Sequence, residues 1–396
     1  MASASTSTAG GGDALEALRQ YLAIARAQRP ELAGEDFALV PLSAAEAGTA
    51  RDLIWEDHAA FIAADRAAEA TAKAITLGDR TLRYDFATFG NEPETGHSLY
   101  ISLHGGGEAD ASVNDDQWEN QKVLYEPDEG IYLAPRAPTN TWNLWHEAHV
   151  DVLLQRLIEN FIAIEGVDSN RVYVMGYSAG GDGVYQLGPR MADSWAAAAM
   201  MAGHPNDAKP DSLRNLGFTV HVGGLDTAFD RNLVAAEWGT LLDALEAADP
   251  GGYPHYVEVH PDKPHWMDLE DAVAVPWMAE FTRDPTPDRV VWLQDDITHS
   301  RFYWLSVDEA NAVGGARIEA SVTGQTIEIE SSGVSHVSVR LSDDLIDLDQ
   351  PLSIVAGGSS VYEGVVQRTI LALWTTTVER GDPALVFSSE VSVDLE

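Results

Sequence analysis

The chain has 396 residues, 45% of them hydrophobic, enough to bury a large core and long enough for two or three domains. Its 63 acidic residues against 24 basic ones give a formal charge of −39, a field that repels phosphate backbones and anionic lipid, so neither nucleic acid nor a membrane surface is an expected partner. Cysteine is absent, which excludes disulfides, thiolate catalysis and cysteine metal sites. The lysines are only Lys73, Lys122, Lys209 and Lys263. A carboxylate surplus with so few lysines fits adaptation to high salt, and equally a GC-rich genome that favours Arg over Lys.

Residues 1–12, "MASASTSTAGGG", are small and polar, without the basic start and apolar stretch of a signal peptide, and read as a disordered leader. No apolar run reaches membrane-spanning length; the richest is "WAAAAMMAG" at 195–203. A soluble, cytoplasmic protein is expected, with export behind a removed signal as the alternative. Residues 13–75 carry Leu15, Leu18 and Leu22, then Leu53, Ile54, Phe61 and Ile62, at helical spacing and form a helical extension.

From 76 to 283 apolar strand-like runs alternate with helical segments. The runs are "SLYISLH" (98–104), "GIYLAP" (130–135), "RVYVMGY" (171–177), "AAAAMMAG" (196–203), "FTVHVGG" (218–224) and "HYVEVH" (255–260). Val150, Leu153, Leu154, Leu157, Ile158 and Phe161 recur at three and four and mark an amphipathic helix between two of them. Such alternation predicts a mostly parallel sheet covered by helices on both faces. "RDPTPDR", with its two prolines, reads as a linker at 284–289. Beyond it, over 290–396, "ARIEASV", "QTIEIES" and "HVSVRLS" alternate apolar and polar, which predicts a small antiparallel β-sandwich. Trp292, Phe302, Tyr303, Trp304 and Trp374 either pack that region or form a sugar-binding platform, and packing is the expected role.

Gly176-Tyr177-Ser178-Ala179-Gly180 has the spacing of a nucleophile elbow, in which a strained strand-to-helix turn needs nearly side-chain-free neighbours two positions either side of the serine. A strand leads in and a helix-compatible segment leads out. His104-Gly105-Gly106-Gly107 follows an earlier strand, and its glycines leave backbone N–H groups open to an oxyanion; the donors expected are Gly106 or Gly107 together with Ala179. Downstream, Asp226 after one strand and His265 after the next complete the order Ser, Asp, His, with Asp230 and His260 as competitors. Trp142, Trp145, His146 and Tyr177 are candidates for the substrate pocket. "His146-Glu147-Ala148-His149" lacks the spacing of H-E-x-x-H, so no metal is expected there.

In "HGGG", "GYSAGG", "GGLD" and "PHW" the chain resembles the α/β-hydrolase superfamily, and within it the dienelactone-hydrolase-like and polyhydroxybutyrate-depolymerase-like esterases, over about residues 80–283. Pro264 stands where that branch commonly has glycine. The resemblance implies a carboxylic ester hydrolase working through an acyl-enzyme on a small or polymeric ester, without metal or organic cofactor. The alternatives are a prolyl-oligopeptidase-like peptidase, which usually brings a large gating domain, and a noncatalytic binding protein that kept the fold. Oligomeric state and acyl preference stay open.

Overall fold

The computed structural model describes residues 10–395. Of the leader, residues 1–9 lie outside the described residues, while the first helix, α1 (Gly11–Ala23), already begins inside the stretch read as disordered. Three 3-10 turns follow, then α2 (Ala44–Asp65) and α3 (Ala67–Ala72). The start of α2 is written locally: the Ser43 side chain accepts the Glu46 amide while the Glu46 carboxylate accepts the Ser43 amide, a reciprocal cap.

An eight-stranded sheet comprises β1 (Ala74–Leu77), β2 (Arg80–Phe89), β3 (Leu99–Leu103), β4 (Gly130–Arg136), β5 (Val172–Tyr177), β6 (Ala197–Met201), β7 (Gly217–Gly223) and β8 (His255–His260). Its order is β1-β2-β4-β3-β5-β6-β7-β8, with β1 and β2 antiparallel and all pairings from β4 to β8 parallel. The crossovers are α4 (Ala111–Gln121), α5 (Ala148–Glu165), α6 (Ala179–Arg190) and α7 (Arg231–Ala248), and α8 (Ala274–Ala279) follows β8. This is the α/β-hydrolase fold.

All six expected strands are present, whereas β1 and β2 fell outside them. These two strands at the antiparallel end of the sheet are only partly buried, so their side chains never compose the continuous apolar run that marks a central parallel strand. Strands β3 to β7 are buried along their whole length, and α5 lays its stripe of Val150, Leu153, Leu154, Leu157 and Phe161 against them.

The C-terminal region holds two sheets: β9 (Arg289–Leu293), β12 (Arg317–Thr323), β13 (Thr326–Ser332), β15 (Leu352–Ala356) and β16 (Ser359–Gly364) in one, β10 (Arg301–Phe302), β11 (Leu305–Ser306), β14 (His336–Leu341) and β17 (Ser389–Asp394) in the other. Two corrections follow. The β13–β15 pairing is parallel, and an eleven-residue helix, α9 (Ile370–Arg380), interrupts the β-rich run. Trp292, Phe302, Tyr303 and Trp304 are buried, so they are core and no sugar platform.

The "RDPTPDR" stretch is fastened rather than loose: the Arg283 guanidinium is buried, donates to the Asp193 carbonyl and the Asn170 side chain, and pairs with Asp382 at 2.7 Å. The N-terminal helices close the circuit, since Leu18, Ile54 and Ala50 share one apolar cluster with Ile370 and Leu373 of α9. Among the described residues no helix is long and apolar enough to cross a membrane.

With −39 formal charges on this surface, the salt-adaptation reading predicts that the unfolding temperature climbs markedly from low to molar NaCl as carboxylate repulsion is screened. Calorimetry across that range gives a flat response if genome composition alone explains the residue usage.

Candidate active site

Strand β5 runs into α6 through Ser178, whose backbone is held at φ 59°, ψ −120°. That conformation is strained for a non-glycine residue and persists because its surroundings leave no alternative. A Cβ on Gly176 would lie 2.3 Å from the Gly180 carbonyl oxygen, and one on Gly180 would lie 2.0 Å from that of Leu103. The need for small residues extends further than the elbow spacing shows. Gly181 abuts the Met201 carbonyl, and Gly183 abuts the buried Trp145.

His265 Nε2 is 3.0 Å from Ser178 Oγ and its Nδ1 is 2.6 Å from Asp226 Oδ2. Asp226 is 3% exposed and His265 about half-open to solvent. Asp230 is exposed one turn away, and His260 is buried beneath the sheet edge beside His221, so neither competitor reaches the serine.

The two loops that carry Asp226 and His265 are tied main chain to main chain. Gly224 N–H donates to the His260 carbonyl at 2.7 Å and Leu225 N–H to that of Lys263 at 2.9 Å. A Cβ on Gly223 would lie 2.1 Å from the Pro264 carbonyl oxygen, so the close approach of the two loops leaves room for glycine at 223.

Tyr177 is not in the substrate pocket. Its hydroxyl donates to the His265 carbonyl at 2.6 Å and accepts the Met267 N–H at 3.0 Å, so it clamps the histidine loop from below. Trp145 is likewise removed from the pocket: it is fully buried and donates its indole N–H to the His104 carbonyl. His146 stacks edge-on against Trp142 away from the cavity wall, and burial pushes its imidazole down to about 4. These three stand apart from the cavity wall because aromatics at strand ends and in loops read the same in sequence whether they face a cleft or brace the backbone behind it.

The glycine loop is similarly braced. His104 is buried, donates through Nδ1 to the Gly105 carbonyl and accepts the Ala137 N–H on Nε2, while burial lowers its imidazole to about 4 and keeps it neutral. Gly106 and Gly107 have φ of 113° and 85°, a region open to glycine. The Gly107 N–H donates to Asn114 Oδ1 at 2.8 Å. Of the two glycine amides expected to face an oxyanion, that of Gly107 is therefore already engaged with Asn114.

A cavity of about 400 Å³ opens over Ser178, bounded by Gly106, Ala179, Trp142 and Phe229, with Asp182, His204 and Arg231 supplying polar wall. Trp142 is 56% exposed, the one expected pocket aromatic that lies here. Asp182, Phe229 and Arg231 escaped the sequence reading. The available signal for Asp182 was its place one helical turn after Ser178, on the same face of α6.

Burial raises the Asp182 carboxyl to about 6, and its Oδ1 accepts the His204 N–H at 2.6 Å. A raised folded-state value costs stability only where the carboxylate is ionised. The cost vanishes only below the unfolded value of 3.8, grows between there and about 6 and is complete above that. Asp182→Asn keeps the acceptor and is expected to be more stable than wild type at pH 8, on the order of 3 kcal/mol, with most of that gap lost by pH 4. Denaturant melts at the two pH values measure it; a gap independent of pH would contradict the burial account.

No protein-family model and no curated protein sequence matches the chain. Among solved structures it is similar to a thermostable esterase (21% identity, 53% of this chain and 62% of that one, TM-score 0.40). Others are a carboxylesterase from Bacillus cereus (15%, 50% and 94%, TM-score 0.35) and the feruloyl esterase module from Clostridium thermocellum complexed with sinapinate (16%, 52% and 86%, TM-score 0.37). The first of these matches spans less than two thirds of the other protein's length. In strand order, crossover helices and the strained serine turn between β5 and α6, the chain has the α/β-hydrolase fold.

Proposed function

We propose that the chain is a serine hydrolase of carboxylic esters. The observation that carries this is the continuous relay from Ser178 Oγ to His265 Nε2 and from His265 Nδ1 to buried Asp226, at 3.0 and 2.6 Å. In the proposed reaction His265 takes the serine proton as Oγ attacks the acyl carbonyl. The oxyanion is received by the Gly106 and Ala179 N–H groups, His265 returns the proton to the departing alcohol, and water activated by the same imidazole releases the acyl group. Asp226 fixes the tautomer with the proton on Nδ1 and stabilises the imidazolium.

The cavity supports esters over peptides. Trp142 and Phe229 present apolar surface to an acyl or aryl group, and among the described residues none of the N-terminal helices contributes to the wall. Aryl or short-chain alkyl esters are expected to be cleaved at least about 100-fold faster in kcat/KM than matched peptide amides, roughly 3 kcal/mol in the barrier. A fluorophosphonate is expected to label Ser178 alone. Comparable rates on a proline-containing amide would move the assignment to the peptidase reading, and failure of the label to attach would favour a noncatalytic protein.

A further inference from the structure

We propose that His221, His260 and Glu258 bind one divalent transition-metal ion of the zinc class, on the face of the β7–β8 edge that lies beneath the triad loops. One donor atom from each of the three side chains falls within 4.8 Å of the others. The site is built on strands. His221 and Glu258 are register partners across the parallel β7–β8 pair, and His260, two residues along β8, projects to the same face.

The spacing favours ligation over an ordinary hydrogen bond. His221 Nδ1 and His260 Nε2 are 3.4 Å apart, wide for a good hydrogen bond. Two ligands at Zn–N distances of 2.0–2.1 Å on a tetrahedron stand about 3.3 Å apart. Each imidazole is also steered through its other nitrogen, as metal-bound histidines commonly are. His221 Nε2 is 2.9 Å from Thr219 Oγ1, and His260 Nδ1 lies 3.4 Å from Glu270, whose other oxygen is held by Lys263 at 2.9 Å, and 3.9 Å from Glu258.

Glu258 is partly exposed and offers an entry path. Two imidazoles and a carboxylate suit zinc, cobalt or nickel better than calcium or magnesium. The ion stands outside the ester-cleaving chemistry and clamps the two strands whose following loops carry Asp226 and His265.

The test is a Co²⁺ titration of the full chain after chelator dialysis, in excess Mg²⁺ and molar NaCl so that the acidic surface is already screened and occupied. One equivalent of Co²⁺ with a visible d–d band, displaced by Zn²⁺, is expected, together with a rise in unfolding temperature on Zn²⁺ addition. His260→Gln and Glu258→Gln are expected to weaken Co²⁺ binding by ~100-fold or more, and Glu270→Gln by roughly 10- to 100-fold, because orienting partners matter less than ligands. If His260→Gln fails to fold, the half-exposed Glu258→Gln carries the comparison. Less than one equivalent bound by the wild type, or wild-type affinity in the ligand variants, overturns the assignment.

Discussion

Ser178→Ala is expected to lower kcat/KM on an aryl ester by four to six orders of magnitude while leaving the melting curve within a few degrees of wild type. The chemical loss is large because the nucleophile has no substitute at the cavity floor. Asp182, on the next helical turn, is a carboxyl that shares its oxygen with the His204 amide, and His265 without Ser178 has only water to activate. The fold survives because the Ser178 N–H and carbonyl, which bond Met201 and Asp182, belong to the backbone and remain. Alanine at this φ of 59° carries the strain that serine already carries, so no new penalty enters. Turnover within tenfold of wild type in the purified variant would remove the covalent mechanism altogether.

A chain ending at residue 283 is expected not to fold. The sequence places every triad residue before that point and invites the opposite expectation, a self-sufficient catalytic module. The packing decides otherwise. Trp292, Phe302, Tyr303 and Trp304 belong to the same apolar core as Leu154, Val184 and Phe218. Ion pairs cross the division: Arg380 reaches Asp193 at 2.6 Å, Asp382 reaches Arg283 at 2.7 Å, and His299 adds to the buried Asp151–Arg190 pair at 2.8 Å. Removing one partner of a buried pair costs about 3–5 kcal/mol, and two or three such losses match the whole stability of a typical domain. Limited proteolysis and near-UV circular dichroism of the truncated chain are expected to show no protected core. A protected, active fragment would establish that the C-terminal region is an appendage.

What the sequence makes legible follows from how locally each feature is encoded. The central strands declare themselves because burial on both faces writes an unbroken apolar run, Ser178 and Asp226 because a strand end and glycines flank them, and His265 because it follows the next strand in the loop at the same sheet edge. The half-buried β1–β2 hairpin writes no such run. Helix α9 is hidden by β-branched residues: Ile370, Thr375, Thr376, Thr377 and Val378 favour strand by propensity, and contact with Ile54 and Leu18 overrides it. Tyr177 and Trp145 show the remaining limit, since the direction in which an aromatic at a strand end or in a loop points is decided by partners far along the chain, the His265 carbonyl for one and the His104 carbonyl for the other.

The backbone ties between the loops after β7 and β8 divide the labour around the cavity. Because Gly224 and Leu225 are bonded to the His260 and Lys263 carbonyls, the separation of Asp226 and His265 is a property of main-chain geometry, insensitive to the rotamers of neighbouring side chains. Trp142 and Asn206, which form other parts of the wall, arrive on loops that follow β4 and β6 and share none of those bonds. Substitutions there are free to redraw the outline of the cavity while the Ser178–His265–Asp226 hydrogen bonds keep their alignment, so under the proposed function acyl preference is evolvable separately from the chemistry.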